Sequence, residues 1–191
     1  MKSLKNSKTL LNLANSFAGE AQARDRYTFY AEKAKKEGHK KVESVFLEVA
    51  DNERAHAKVF YDLLIKEFSH DIITVDSGFP IGFGSTLDNL KYAAEGEHHE
   101  WGSVYPEYGD IAAREGFLEV SEAFKLIASI EKHHEAKFKS LYDEMSNDLL
   151  YKNSTPITWH CINCGYIFEG TEAPASCPSC HHPIGFFEKV L

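Results

Sequence analysis

The sequence predicts a mainly α protein: a four-helix bundle followed by a small β module built around four cysteines. Three observations carry that prediction. Apolar residues recur at alternating steps of three and four along four separate stretches, the pattern of helices packed as in a coiled coil. Each stripe holds a glutamate near its middle. All four cysteines fall in the last 31 of 191 residues, as two Cys-x-x-Cys pairs.

The first stripe runs Leu10, Leu13, Phe17, Glu20, Arg24, Tyr27, Ala31, and the second Val42, Phe46, Val49, Glu53, His56, Phe60, Leu63. The third runs Leu87, Leu90, Ala94, Glu97, Trp101, Val104, Tyr108, Ile111. The fourth runs Phe117, Val120, Phe124, Ile127, Glu131, His134, Phe138, Leu141, Met145. Gly38 and Gly116 separate the helices of each pair, and SGFPIGFGST (77–86) breaks the pattern between pairs. The connection from about Ile65 to Ser85 is too long for a tight helix hairpin, so it predicts a crossover along the bundle. Its β-branched patch DIITV predicts a short extended segment.

The two pairs form an internal repeat. A shift of 78 residues carries Gly38 onto Gly116, Phe46 onto Phe124, Glu53 onto Glu131, His56 onto His134 and Tyr27 onto Tyr105. Glu20 and Glu97 differ by 77, so the third helix holds one extra residue between Glu97 and Tyr105. A π-bulge absorbs such an insertion, and Pro106 is a second source of irregularity there.

An ionised carboxylate on a core-facing stripe costs several kcal/mol unless it is paired or holds a metal. One such glutamate is explained by water or by a partner such as Arg24; four at one level are not. Residues three apart share a helix face, so Glu53/His56 and Glu131/His134 each present a carboxylate and an imidazole to one point. Bundles that hold two irons or manganeses use two such pairs and one glutamate from each remaining helix, here Glu20 and Glu97. Mixed carboxylate and imidazole donors suit iron better than calcium or magnesium, without excluding manganese. His133 lies off the stripe and aligns with Ala55, so His134 is the expected ligand of that pair.

The stretch EGEHHE (95–100) offers two registers. Glu95 with His98 repeats the spacing, but Glu95 is off the stripe. Glu97 is on it, and Glu100 is within reach of the same site. Glu97 and Glu100 are therefore the expected ligands, with Glu95, His98 and His99 outside the first ring. Glu100 has only Gln22 or Ala23 opposite it in the repeat, so it is a surplus carboxylate.

After Tyr151 comes KNSTPIT, read as a polar linker, and then the pairs Cys161/Cys164 and Cys177/Cys180, twelve residues apart. That spacing specifies a tetrahedral thiolate site, with zinc favoured over iron on spacing alone. So small a module needs its metal in order to fold. The expected division is 1–150 for the bundle and 156–191 for the module.

The formal charge of −8 argues against nucleic acid or an anionic membrane surface as a partner. No apolar run reaches membrane-spanning length, and the N-terminus lacks an uninterrupted apolar region and a cleavage site. A cytoplasmic location is expected, where clustered cysteines read as metal ligands before disulfides.

These motifs resemble the rubrerythrin family over essentially the whole chain. The matching text is FAGEAQARDRYTFYAEKAKKEG, NERAHAKVF, GEHHE with YPE, IEKHHEAKF, and CINCGY with CPSC. The resemblance implies a ferritin-like diiron bundle with a C-terminal rubredoxin-like domain, and moves the expected metal at the cysteines from zinc to iron. It implies that Glu53 and Glu131 bridge two non-haem irons. One iron also takes Glu97 and His134; the other takes Glu20 and exchanges between Glu100 and His56 with oxidation state. The implied activity is reduction of hydrogen peroxide, with electrons from an NAD(P)H-dependent reductase, often through rubredoxin. A homodimer is implied in which the cysteine iron of one chain lies near the diiron site of the other. Trp101 to Val104 depart from the family's usual text beside the moving ligand.

Tyr27 and Tyr105, paired by the repeat, are candidates to donate hydrogen bonds to ligand carboxylates or to the oxidant, or are core tyrosines with satisfied hydroxyls. Two rival readings remain at this stage. One is a ferritin-like ferroxidase that handles iron, which needs no dedicated electron relay; the other is a non-enzymatic, zinc-stapled binding or sensing protein.

Overall fold

The computed structural model describes residues 3–190. Four long helical segments form the bundle. They are α1 (Lys8–Lys36), α2 (Lys40–Ile65), a third made of α3 (Thr86–His99), a π-turn (Glu100–Val104) and α4 (Tyr105–Arg114), and α5 (Leu118–Ser146). α1 starts where the Ser7 hydroxyl accepts from Leu10 N, and α3 starts on a reciprocal capping box between Ser85 and Asp88. Gly38 and Gly116 follow α1 and α4 at φ 84° and 83°, a conformation that favours glycine.

The repeat is visible in the packing. Phe46 meets Phe138 with ring centroids 5.1 Å apart, and their repeat equivalents Phe124 and Phe60 meet at 5.0 Å. Glu37 accepts from Thr86 N, and its equivalent Glu115 accepts from Thr9 N and Oγ1. Each of these carboxylates ties the turn within one helix pair to the start of the other pair.

The extra residue of the third helix lies in the π-turn, where Tyr105 N donates to Glu100 O and Pro106 enters the next turn. The insertion advances the inward face by one position. Tyr105, Gly109 and Ala112 are buried there, in place of the expected Val104, Tyr108 and Ile111, which are half-buried. Arg24, expected on the α1 stripe, points outward with 47% of its side chain exposed and lies 3.6 Å from Asp25. Ala23 takes the inward position. The crossover forms no strand among its described residues, DIITV included. Ile73 and Val75 still pack on the core beside Leu63 and Tyr105.

The C-terminal module is an antiparallel three-stranded sheet in the order β2–β1–β3, with β1 Lys152–Cys161, β2 Ile167–Glu172 and β3 Phe187–Lys189. The segment read as a linker is the first half of β1. It pairs at Lys152↔Glu172 and again from Ile157↔Gly170, with an irregularity between that includes Pro156. Proline has no N–H for the ladder, whereas Thr155, Ile157 and Thr158 suit a strand. Trp159 fills the module core, and its indole N–H donates to Gly170 O at 2.9 Å.

The module sits on the turn between α1 and α2. A Cβ on Gly185 would lie 1.6 Å from the Gly38 carbonyl oxygen, so the two backbones meet where only glycine fits. Ion pairs flank this contact, Lys41 to Glu188 at 2.7 Å and Lys189 to Glu144 at 2.9 Å. Among the described residues, no helix is long and apolar enough to cross a membrane.

Candidate metal centres

Halfway along the bundle, Glu20, Glu53, Glu97, Glu131, His56 and His134 converge from four helical segments, all buried. The repeat sets their geometry. His56 Nδ1 lies 3.0 Å from Glu53, one turn back on its own helix, and 2.8 Å from Glu131 across the bundle. His134 Nδ1 lies 2.7 Å from Glu131 and 3.1 Å from Glu53. Glu53 and Glu131 thus each serve both histidines. Two overlapping groups result, Glu20/Glu53/His56/Glu131 and Glu53/Glu97/Glu131/His134, each with donor atoms within 4.8 Å of one another.

Two tyrosines close the set in the same symmetric manner. Tyr27 on α1 donates to Glu97 on α3, and Tyr105 on α4 donates to Glu20 on α1. Both hydroxyls are thus satisfied by carboxylates of the site. The carboxamide of Asn52 lies 3.2 Å from His134 Nε2, so Nδ1 is the nitrogen left facing the site.

The electrostatics suit a site for cations. Burial and the neighbouring Glu53 push Glu97 up to about 8, and burial and the same neighbour hold Glu20 well above the usual carboxylate range. Burial opposes protonation of His134, yet the carboxylates of Glu131, Glu53 and Glu97 close beside it raise it to about 12. Burial opposes ionisation of Glu53, but His134 and His56 hold it down to about 2. Even so, Glu20 Oε2, Glu53 Oε1, Glu97 Oε2 and both oxygens of Glu131 are buried without a good hydrogen bond. Orphaned buried oxygens in one cluster are costly in any protein without a role for them. Two cations of the iron class fit this donor set, which is hard oxygen with two imidazoles.

Glu100 belongs to neither group. It stands on the π-turn beside them, with its carboxyl raised well above the ordinary range by burial and by Glu97. His98 and His99 are exposed, Glu95 lies 3.9 Å from Lys91, and His133 is exposed. The stripe places Trp101 on the inward face, but the spacing gives no sign of its partners on α5. Trp101 turns onto α5, where its indole N–H donates to Glu135 at 2.5 Å, His98 meets the same carboxylate oxygen at 3.2 Å, and Lys132 lies over the ring. Trp101 follows Glu100 and Glu135 follows His134, so this contact fastens together two segments that line the site.

In the module, the four cysteines are free thiols and form a second cluster. Cys161 and Cys180 Sγ are 3.7 Å apart, as are those of Cys164 and Cys177. Two sulfurs bound tetrahedrally to one metal at about 2.3 Å stand about 3.8 Å apart, whereas a disulfide requires about 2.05 Å. The backbone N–H of His182 holds Cys180 down to about 5, and burial pushes Cys161 up to about 11. The cluster fits a single iron.

Comparison with known proteins agrees with this architecture. The family model "Rubrerythrin" matches residues 12–142, and "Rubrerythrin, rubredoxin-like domain" matches residues 159–188. A rubrerythrin of Clostridium perfringens is 45% identical over 98% of this chain and 97% of its own length. A rubrerythrin of Porphyromonas gingivalis is 42% identical over 99% and 93%. The solved structure of nigerythrin in a partially reduced state superposes with a TM-score of 0.65 at 28% identity, covering 97% of this chain and 90% of that one. With two metal-binding clusters on a duplicated bundle and its cysteine module, and with relatives matching from end to end, this chain belongs to the rubrerythrin family.

Proposed function

We propose that this protein is a peroxidase that reduces hydrogen peroxide to water at the carboxylate–histidine site, with electrons relayed through the four-cysteine centre. The observation that carries this reading is the presence of both clusters in one chain. A protein that only oxidises and stores iron has no need of the second, so the ferroxidase alternative leaves the module unexplained. Family membership supports the same reading. The related nigerythrin has been solved in a fully reduced, all-ferrous state, which favours iron.

Two ferrous ions, when bound, supply the two electrons that peroxide reduction consumes. The chain's own residues do the rest. Glu53 and Glu131 are suited to bridge, since each already approaches both histidines. Glu97 with His134 and Glu20 with His56 would hold the two ends, and Glu100 would be the carboxylate available in place of His56. Tyr27 and Tyr105 hold Glu97 and Glu20 in place through their phenol protons. The Phe46/Phe138 and Phe60/Phe124 pairs exclude water from the core on either side.

Residues 1–150 carry the peroxide chemistry and 156–191 the relay. Cys161, Cys164, Cys177 and Cys180 hold one iron, for which zinc is a substitute without redox function. The physiological donor is an NAD(P)H-dependent reductase, directly or through rubredoxin, in the cytoplasm. The working unit is a homodimer that brings the relay of one chain to the diiron site of the other.

The test is anaerobic full reduction followed by stoichiometric hydrogen peroxide, with metal content and visible spectrum recorded. Rapid reoxidation of both kinds of iron centre is expected. No iron at the cysteines, or no reaction, removes the reading. If Glu100→Ala kept full turnover and an unchanged iron environment on reduction, the exchange role of Glu100 would be wrong.

A further inference from the structure

A cavity of about 340 Å³ lies between α1, the π-turn and the crossover, and it reaches both Glu100 and Tyr105. It therefore opens on the site from the side of the surplus carboxylate. Its outer rim is exposed crossover backbone at Gly78 and Pro80. Its wall includes the buried Ser16, whose hydroxyl has no hydrogen-bond partner in the protein. At about 30 Å³ per water, the space holds on the order of ten water-sized molecules.

Two helical glycines create this space. Gly19 and Gly96 both line the cavity, and each immediately precedes a lone glutamate of the site, Glu20 or Glu97. Neither has a positive φ. A Cβ on Gly19 would meet nothing within 4 Å, and one on Gly96 would touch only Arg26 and Tyr27 at ordinary distance. Backbone geometry therefore demands glycine at neither place. A glycine inside a helix is destabilising relative to alanine, so these two keep a volume open that larger side chains would fill.

We propose that this cavity is the entrance by which hydrogen peroxide reaches the diiron site, that Gly19 and Gly96 hold it open, and that the Ser16 hydroxyl is a hydrogen-bonding station along it. The inference rests on the peroxidase reading for its substrate. A small, uncharged, hydrogen-bonding molecule suits a passage with a free hydroxyl on its wall. The route also delivers that molecule beside Glu100, where a vacated coordination position is expected.

Gly19→Leu, which places four carbons in open space, is compared with Gly19→Ala in iron-loaded, full-length protein. Two rates are measured: the bimolecular reoxidation of the reduced form by hydrogen peroxide, and the association of azide with the oxidised form, followed by its visible absorption. Gly19→Leu is expected to slow both at least about tenfold with iron content and azide affinity unchanged, and Gly19→Ala less than about twofold. A crystal structure of Gly19→Leu with the cavity filled, together with wild-type rates, overturns the proposal. Should Gly19→Leu fail to load iron, Gly78→Trp at the rim decides, and wild-type association rates in that variant overturn it equally. If wild-type protein does not react with peroxide at all, the peroxidase reading falls, while azide association still tests the entrance.

Discussion

The two halves of the bundle, α1–α2 and the third helix with α5, are copies that agree closely at the metal ligands and disagree at one turn. Glu53/His56 and Glu131/His134 mirror each other, as do the tyrosine–glutamate bonds, the phenylalanine pairs and the glutamates at the helix ends. The π-turn at Glu100–Val104 has no counterpart in α1, which is a continuous helix over the same region. The paired residues build a symmetric cation site; the unpaired turn adds Glu100, the Trp101 clasp and one wall of the cavity. Symmetry accounts for the two matched donor groups, and the departure from it places one further carboxylate beside them.

Removing either shared carboxylate should break the symmetric part with the largest effect. Glu53→Ala and Glu131→Ala are expected to lose the paired irons alike and keep the cysteine-bound one, as metal analysis and visible spectra would report; survival of the pair in either variant would mean that it is not shared. Glu100→Ala touches only the asymmetric turn. It should retain all iron and lose peroxide turnover by at least about tenfold, or about 1.4 kcal/mol at the barrier.

Tyr27→Phe and Tyr105→Phe each delete one hydrogen bond to a buried carboxylate, worth about 1.5–3 kcal/mol when charged. Similar losses of iron affinity in the two variants would support functional equivalence of the halves, and a large inequality would show that the π-turn reaches Glu20 through Tyr105. Trp101→Phe removes the bond to Glu135, at about 1 kcal/mol. Hydrogen exchange should quicken in the π-turn and not in α1.

The smallest effect concerns the helix ends. Hydrogen bonds from Lys33 and Thr86 overcome partial burial and lower Glu37 to about 2. Since the folded value lies below the unfolded one, this stabilisation is present above about pH 4.5 and is lost as pH falls toward 2. Allowing for solvent screening, Glu37→Gln should cost about 1 kcal/mol or less at pH 7. The gap from wild type in denaturant melts should close in acid.

Much of this was legible in the residues. The stripes located every bundle helix, and stripes and repeat together pointed to every residue of the two groups, because both follow from spacing along one helix. The one-residue difference between the Glu20–Glu97 and Tyr27–Tyr105 intervals even marked the π-turn. Its consequences were not legible. Once the backbone gains a residue, the stripe beyond it no longer predicts which side chains face inward, so Val104, Tyr108 and Ile111 were misassigned and Trp101 found a partner on another helix. Arg24 departs from its stripe for a separate reason: its long side chain reaches water from a position near the core edge, while Ala23 turns inward. The strand at Lys152 was hidden by polar composition, since its pairing depends on β2, formed later in the chain.

The contact of Gly185 with Gly38 ties the docking of the module to the state of its metal site. The seat, a finished α1–α2 turn, belongs to the bundle, whereas the part that lands on it belongs to a module that needs metal to take shape. Any metal that draws the four cysteines together thus also shapes the surface that docks on the α1–α2 turn, where Lys41–Glu188 and Lys189–Glu144 flank the contact.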